Sequence, residues 1–438
     1  MKKSRQVFIG LEIHAQLKTK SKMFCSCPAD IWQAEPNTRV CPTCLGLPGA
    51  LPTINKRALE EVLLLALALN CRINQRCYFE RKNYFYPDLP KGYQITQHRR
   101  PLGEEGFLPL GARKIKIFDV HLEEDTGKTI HFREKGEAYS LLDFNKSGLP
   151  LVEIVSAPEL RSADEAVAYC QQIQRLLRFL DISEADLEKG QLRFEVNLSL
   201  GTGPQLPSYR VEVKNLNSFR FVRKAIEFEI KRQEELLRKG VSLTSETRGF
   251  DEEKEVTIRQ RSKEAALDYR YFPEPDLPPL EIDSTWLKKI GQAMPELPWA
   301  AEKRLQEKFK LRADEARIIS QEKKWLQFFD QAVALGLPPA RVARTLVNRP
   351  QWRDRTAAEL AAHWAAEEKN RLRNQEELQK VVAEVLAAAP AVVADWQKGK
   401  KNALNFLLGQ VMRQTQGRAD PQLTRELLEK ALGKLSKN

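Results

Sequence analysis

Apolar residues occupy every second position in Val7, Ile9, Leu11, Ile13, Ala15 and Leu17, and Glu12, His14 and Gln16 stand between them. Alternation of this kind marks a strand buried on one side only. It commits the chain to a sheet with one apolar and one polar face, and it sets a carboxylate and an imidazole side by side on the polar one. Further strand candidates lie at 114–124, 139–145, 151–156, 192–200 and 209–214. Three helical stretches interrupt them. The first spans about 56–70. The second follows Ser162, with Glu165 in the capping-box position, and runs to Leu180. The third follows Ser218 and ends before Gly240, placed as a C′ glycine. Strands mostly follow one another with few helices between, which predicts an α+β fold built on an antiparallel sheet.

Strand patterning stops after two Pro-rich passages, FPEPDLPPL (272–280) and MPELP (294–298). From about residue 300 the text is rich in Ala, Leu, Glu, Lys, Arg and Gln and reads as helical. Boundaries near 293 and, inside EEKNRLRNQEE, near 371 divide the chain into 1–292, 293–371 and 372–438. With 438 residues, 42% hydrophobic and 30% charged, the chain holds enough apolar material for the cores of two or three domains. The longest apolar run, VLLLALAL (62–69), is too short to span a bilayer. MKKSRQ is basic, but Glu12 and His14 break the apolar run that a signal peptide needs. These features predict a cytoplasmic protein, whose seven cysteines stay reduced. The net charge of +12 points to a polyanionic partner. Residues 398–438 carry nine Lys/Arg against three Asp/Glu, a basic helical face able to grip phosphates or simply solvated.

Carboxylates recur on the polar side of the predicted strands. In LRFEVNLSL (192–200) the polar set is Arg193, Glu195, Asn197 and Ser199; in YRVEVKN (209–215) Arg210, Glu212 and Lys214 face the same way. If the two strands pair, Glu195 and Glu212 share a face with Arg193 and Lys214, and Glu195 and Lys214 are assigned to cofactor binding. The stretch HLEEDTGK brings Glu123, Glu124 and Asp125 in succession. Alternation turns Glu124 to the apolar side, so the strand is expected to end or bulge there. Like charges on adjacent strands repel unless a cation gathers them. An oxygen-rich cluster suits Mg²⁺, and the imidazole admits Mn²⁺ as the alternative. The competing reading is a solvated face stitched by ion pairs.

Cys25, Cys27, Cys41 and Cys44 form two close pairs thirteen residues apart, able to close a tetrahedron around a structural Zn²⁺. Cys170, inside a helix, reads as core. The GKT at 127–129 lacks the glycine that a phosphate-binding loop needs five residues earlier. His98, His121, His131 and His363 read as surface or packing residues. RKNYFYPDLPKGYQITQ (81–97), dense in aromatics, prolines and lysines, reads as a rigid rim around a cavity or as an aromatic plug.

The stretches GLEIHAQL, CPTCLGLPGALP, RKNYFYPDLPKGYQ, HLEEDTGK, EVKNLNSFRFV and DYRYFPEPDLPPL, in this order, resemble the GatB/GatE family, the B subunits of aspartyl/glutamyl-tRNA amidotransferases. The end, GKKNALNFLLGQVMRQTQGRADPQL, resembles that family's YqeY-like tail. The resemblance implies a cradle-like catalytic domain, a helical domain and a small helical tail that touches tRNA. It also implies a two-step activity. ATP phosphorylates the side-chain carboxylate of Glu-tRNA(Gln), Asp-tRNA(Asn) or both, and ammonia then displaces phosphate. An amidase-type A subunit supplies the ammonia, and a small C subunit completes a heterotrimer. In agreement, the sequence carries no recognisable glutaminase nucleophile. By the same resemblance Glu12, His14, Glu123, Glu124 and Glu212 are the catalytic set, with His14, Glu124 and Glu212 holding Mg²⁺. The chain departs from the family in carrying Glu195 for Asp, Leu149 for Thr, SAPEL (156–160) for SEPD and a shortened helical region after Arg355. Two other readings stand beside this one: a non-catalytic tRNA-binding subunit with a decayed metal site, and a metal-dependent phosphohydrolase.

Overall fold

The computed structural model describes residues 5–134, 137–262, 269–370, 374–400 and 402–435. Its centre is a sheet of nine strands: β1 (Gln6–Gln16), β2 (Arg72–Ile73), β3 (Gly103–Leu110), β4 (Arg113–Glu124), β5 (Pro150–Ser156), β6 (Leu192–Gly201), β7 (Val211–Leu216), β8 (Glu246–Asp251) and β9 (Val256–Ser262). Their order across the sheet is β9-β8-β7-β6-β1-β5-β4-β3-β2, so the alternating first strand lies in the middle. All pairs are antiparallel except β7 with β8. That exception makes the otherwise antiparallel sheet a mixed one. The chain between β7 and β8 holds the helix α3 (Phe219–Arg238), a crossover long enough to return the chain in the same direction.

The apolar face of the sheet carries Ile9, Leu11, Ile13, Val120, Leu122, Val152, Ile154, Phe194, Val196, Val211 and Val213. It is covered by α1 (Lys56–Ala68), α2 (Ala163–Phe179) and α3, which contribute Val62, Leu65, Ile173, Leu177, Val222 and Ile226 to the same core. Cys71, Cys77 and Cys170 are buried there. Each such aliphatic side chain stabilises the fold by roughly 1.5–3 kcal/mol relative to exposure.

Local signals set the helix ends. Ser162 accepts a hydrogen bond from the N–H of Glu165 at 3.2 Å. The capping box is only half made, because the Glu165 carboxylate accepts from the N–H of Arg161 rather than from that of Ser162. Ser218 caps α3 through the N–H of Phe221, and Gly240 follows the last turn with φ +77°, as expected.

The predicted strand at 139–145 does not join the main sheet. It pairs as Glu137–Asp143 with Lys128–Glu134 in a separate two-stranded ribbon. Residues 81–97 fold into a small sheet, in which Glu80–Asn83 pairs with Tyr93–Thr96 and with Phe272–Pro273.

Two compact units make up the chain: Met1–Lys308 with Ala316–Lys323, and Phe309–Glu315 with Lys324–Asn438. The expected boundary near 293 therefore falls inside the first unit. Two helices, Ser284–Gln292 between the Pro-rich passages and Pro298–Phe309 at the end of the second, remain bound to it. Trp286 donates to Glu60 at 3.2 Å, and the Arg175 guanidinium meets the Ser320 carbonyl and hydroxyl, both at 2.8 Å, and the carboxylate of Glu302. The boundary near 371 adjoins residues 371–373, outside the described residues. The second unit is helical. Thr356 and Glu359 form a reciprocal capping box there, and a small core gathers Leu378, Val382, Val385, Leu407, Val411, Leu428 and Leu432. No helix among the described residues is long and apolar enough to cross a membrane.

Candidate active site

Alternation along each strand and register between strands together build the polar face. Within the sheet His14 stands opposite Glu153 of β5 on one side and Arg193 of β6 on the other, and Glu153 stands opposite His121 of β4. Two residues earlier, Glu12 stands opposite Glu195 of β6, while Asn197 faces Glu212 of β7. Directly opposed residues approach to about 4.5–5.5 Å between Cα atoms, so side chains in one row meet.

Two groups of ligand atoms result, each within 4.8 Å of its own members: His14, Glu123 and Glu153, and Glu12, Glu195 and Glu212. In the first, the Nε2 atoms of His14 and His121 lie 3.2 and 3.0 Å from the same Glu153 oxygen. Asp119 holds the far nitrogen of His121 at 2.8 Å, and Thr96 donates to Glu123 at 3.0 Å. In the second, Asn197 donates to Glu12 at 2.8 Å and Thr247 to Glu212 at 2.9 Å. The Lys214 ammonium bridges Glu195 at 2.6 Å and Glu212 at 3.2 Å.

This arrangement corrects the predicted trio of His14, Glu124 and Glu212. His14 and Glu212 fall in different groups, and neither group among the described residues contains Glu124. The reason is the pleat: consecutive residues point to opposite faces, so Glu123 reaches His14 and Glu124 turns away. β4 ends at Glu124, its last residue, as one of the two expectations had it, and that residue pairs with Pro150 without a bulge. The buried Glu124 carboxylate is held by the Lys91 ammonium and, at 2.9 Å, by the N–H of Ile95.

Electrostatics separate the two groups. Burial disfavours a charged His14, yet Glu153 and Glu123 raise its pKa above the ordinary imidazole value. Burial opposes charge on His121 too, and Glu153 and Asp119 lift it well above that value. Glu153 itself, despite burial, is drawn well below the carboxylate range by the two imidazoles. Glu12 is raised, first by burial and then by Glu153 and Glu195. A divalent cation competes with protons for such donor sets. The all-oxygen group fits a hard cation, and the buried Asn197 Oδ1 beside it lacks a hydrogen-bond partner. The mixed nitrogen and oxygen group fits Mg²⁺ or Mn²⁺.

Several participants escape the sequence reading. Glu153 was the one acid in an apolar strand, and its position between Val152 and Ile154 was signal enough to place it on the polar face. His121 reads as a surface or packing residue in the sequence, and only register shows its contact with Glu153. Asp125 lies between Arg193 at 3.0 Å and Lys146 at 2.6 Å, which against burial lower its pKa to about 2. The 81–97 segment contributes Thr96, Lys91 and Lys82. Burial opposes the charge of Lys82, but Glu123 and other neighbours raise its pKa. A groove of about 1240 Å³ opens beside this face, with Gln16, Lys146, Arg193 and Asn215 along its wall.

The cysteine spacing folds as predicted. The sulfurs of Cys25, Cys27, Cys41 and Cys44 lie within 4.8 Å of one another, and the N–H of Cys41 points at Cys44 Sγ from 3.2 Å. The Cys25 thiol donates towards Cys44 and, with burial opposing and the Cys41 N–H assisting, brings the Cys44 pKa down to about 4. Four convergent sulfurs fit a tetrahedral Zn²⁺.

Comparison with known proteins bears on the same residues. Residues 7–288 match the family described as the GatB/GatE catalytic domain, and residues 357–432 match a second one described as the GatB domain. Relatives from Moorella thermoacetica and Thermus thermophilus are each 42% identical, and one from Thermomicrobium roseum is 43% identical. Each match covers 98% of this chain, and 99, 99 and 98% of the respective relative. All three relatives bear the name of the B subunit of aspartyl/glutamyl-tRNA(Asn/Gln) amidotransferase. The first alignment spans 474 positions against a chain of 438 residues, so that relative carries segments missing here.

Proposed function

Since this chain belongs to the GatB/GatE family, we propose that it is the B subunit of a glutamine-hydrolysing, ATP-dependent aminoacyl-tRNA amidotransferase. Its substrate is Glu-tRNA(Gln), Asp-tRNA(Asn) or both. A side-chain carboxylate oxygen of the aminoacyl group attacks the γ-phosphorus of ATP, and ADP leaves. Ammonia then attacks the carbonyl carbon of the acyl phosphate, inorganic phosphate leaves, and an amide remains. The observation that supports this most is the row structure of the polar face: β1 alone contributes a donor to each of two adjacent ligand groups.

Two anionic reactants must be brought together here. Glu12, Glu195 and Glu212, and His14, Glu123 and Glu153, would hold Mg²⁺, which would supply positive charge for the phosphates and for the leaving ADP oxygen. Lys214 and Arg193 add fixed cations at the edge of the same face. Lys82 and Thr96, on the segment packed over it, orient Glu123 and offset its charge. The groove along Gln16 and Arg193 receives the nucleotide and the aminoacyl end. Ammonia comes from an amidase-type A subunit, a small C subunit completes the cytoplasmic heterotrimer, and the 372–438 tail contacts tRNA through its basic helices. The cysteine cluster holds zinc as a closed structural site, with no open position for chemistry.

The test is reconstitution with the A and C subunits, with each misacylated tRNA assayed separately for amide and ADP. Glu212→Gln and His14→Ala should abolish both products while leaving tRNA binding intact. If the unaltered complex binds tRNA but forms no amide under Mg²⁺, ATP and glutamine, the chain is a binding subunit. If the isolated chain hydrolyses ATP steadily without tRNA or partner, it is a phosphohydrolase.

A further inference from the structure

Lys22 is 0% exposed. Its ammonium lies 3.6 Å from Cys44 Sγ and 3.4 Å from the carbonyl oxygen of Phe144. Among the described residues no carboxylate forms an ion pair with it. A buried ammonium needs an anion; the carbonyl provides none, and Cys44 provides one only as a thiolate. Four thiolates around a divalent ion hold Cys44 in that state, and the cluster keeps two negative charges beyond those the ion cancels.

The backbone commits the side chain to this place. The Lys22 N–H donates to the Cys27 carbonyl at 2.9 Å, and the next N–H, of Met23, donates to the Gly148 carbonyl at 2.7 Å. Gly148, at φ +83°, leaves room for the lysine stem: a Cβ there would lie 3.6 Å from Lys22 Cδ and 3.4 Å from Cys44 Cβ. The stem therefore runs between the cysteine cluster and the 145–148 turn, with its charged end on a sulfur.

We propose that Lys22 is the buried counter-ion of the cysteine cluster, donating to the Cys44 thiolate and offsetting the excess negative charge of a zinc tetrathiolate. This rests on reading the cluster as a zinc site. Lys22 is a positioning residue. It touches neither ion nor substrate, and it acts by making the metal-loaded state of Cys44 the one that satisfies both buried groups. Removing such a partner of a metal ligand typically lowers affinity 10–100-fold.

The experiment uses the full chain and compares Lys22→Met, which keeps the stem and drops the charge, with Cys44→Ser and the double variant. Zinc affinity is read by competition with a chromogenic chelator. Lys22→Met should lose at least tenfold in affinity, and the loss should largely vanish in the Cys44→Ser background. With Co²⁺ in place of zinc, Lys22→Met should keep the tetrahedral bands, while the sulfur-to-cobalt charge-transfer band moves to lower energy because the thiolate has lost a donor. Unchanged affinity with an unshifted band overturns the proposal, as does an equal loss in both backgrounds, which marks a packing defect. Should Lys22→Met not fold, amine labelling of the unaltered chain replaces it. Stripping the zinc should raise Lys22 labelling at least tenfold, and an unchanged rate overturns the proposal. If the unaltered chain takes up no zinc, the zinc reading fails as well, an outcome distinct from zinc uptake indifferent to Lys22.

Discussion

Glu12→Gln should make the metal-free protein more stable and the complex inactive. Glu12, Glu195 and Glu212 each place an oxygen within 4.8 Å of the others. At an effective dielectric constant of about 20, two like charges at that spacing repel by roughly 3–4 kcal/mol. Lys214 offsets this at Glu195 and Glu212, which it contacts directly, whereas Glu12 is held by the neutral amide of Asn197. Glutamine retains the size and the hydrogen bond and removes the charge. After the partial offset, the relief amounts to about 1–3 kcal/mol. The assay is thermal unfolding of the full chain in EDTA and in Mg²⁺, where each kcal/mol moves the midpoint by roughly 2–4 °C. In EDTA the variant should melt several degrees above the unaltered chain. In Mg²⁺ the unaltered chain should gain more, since an ion at a hundredfold its Kd adds about 2.7 kcal/mol. A lower midpoint for the variant in EDTA, or equal gains from Mg²⁺, would refute the view that the metal-free face stores like-charge repulsion.

Glu61 is buried on α1 with one oxygen lacking a hydrogen-bond partner, and burial, against the nearby Arg57, raises its pKa to about 7. A raised carboxyl pKa means the folded state holds the proton longer, so stability falls as pH rises from about 4.5 to 7. Glu61→Gln should flatten that slope and melt above the unaltered chain at pH 8 but not at pH 5, by differential scanning calorimetry. Gly106→Ala should cost about 2 kcal/mol or more, because the new Cβ would lie 2.4 Å from Cys71 Sγ and 2.7 Å from the Leu69 carbonyl oxygen; urea unfolding measures the loss. Zinc chelation or Cys41→Ser should lower the thermal midpoint of the first unit and loosen the Lys91–Glu124 pair, since a Cβ at Gly46, beside the cysteines, would lie 3.1 Å from Lys91 Cα. Hydrogen exchange at Ile95, whose N–H is bound to Glu124, reports the loosening, and unchanged protection there would count against the coupling.

The linear text was enough to decide which residues of each strand face the core. Alternation placed Glu12, His14, Glu195, Glu212 and Lys214 on the polar side, and the structure keeps them there, because a pleated strand admits one answer once its apolar set is buried. The four cysteines were legible for a similar reason: short spacing leaves few ways to arrange four thiols. Helix ends were written in Ser162, Ser218 and Gly240, since caps are local interactions.

Register and contact across the chain were not written there. Alternation alone turns Glu124 away, but whether Glu123 lies level with His14 depends on how β5 aligns between β1 and β4, which tertiary packing sets. The same alignment turns His121 and Glu153 from bystanders into members of the site, and brings Asp125 to Arg193 across 67 intervening residues. The parallel return of β8 follows from where α3 finds its apolar bed. Side-chain facing is a property of one strand; shared ligation and charge pairing are properties of several, and their energy exists only after the sheet has closed.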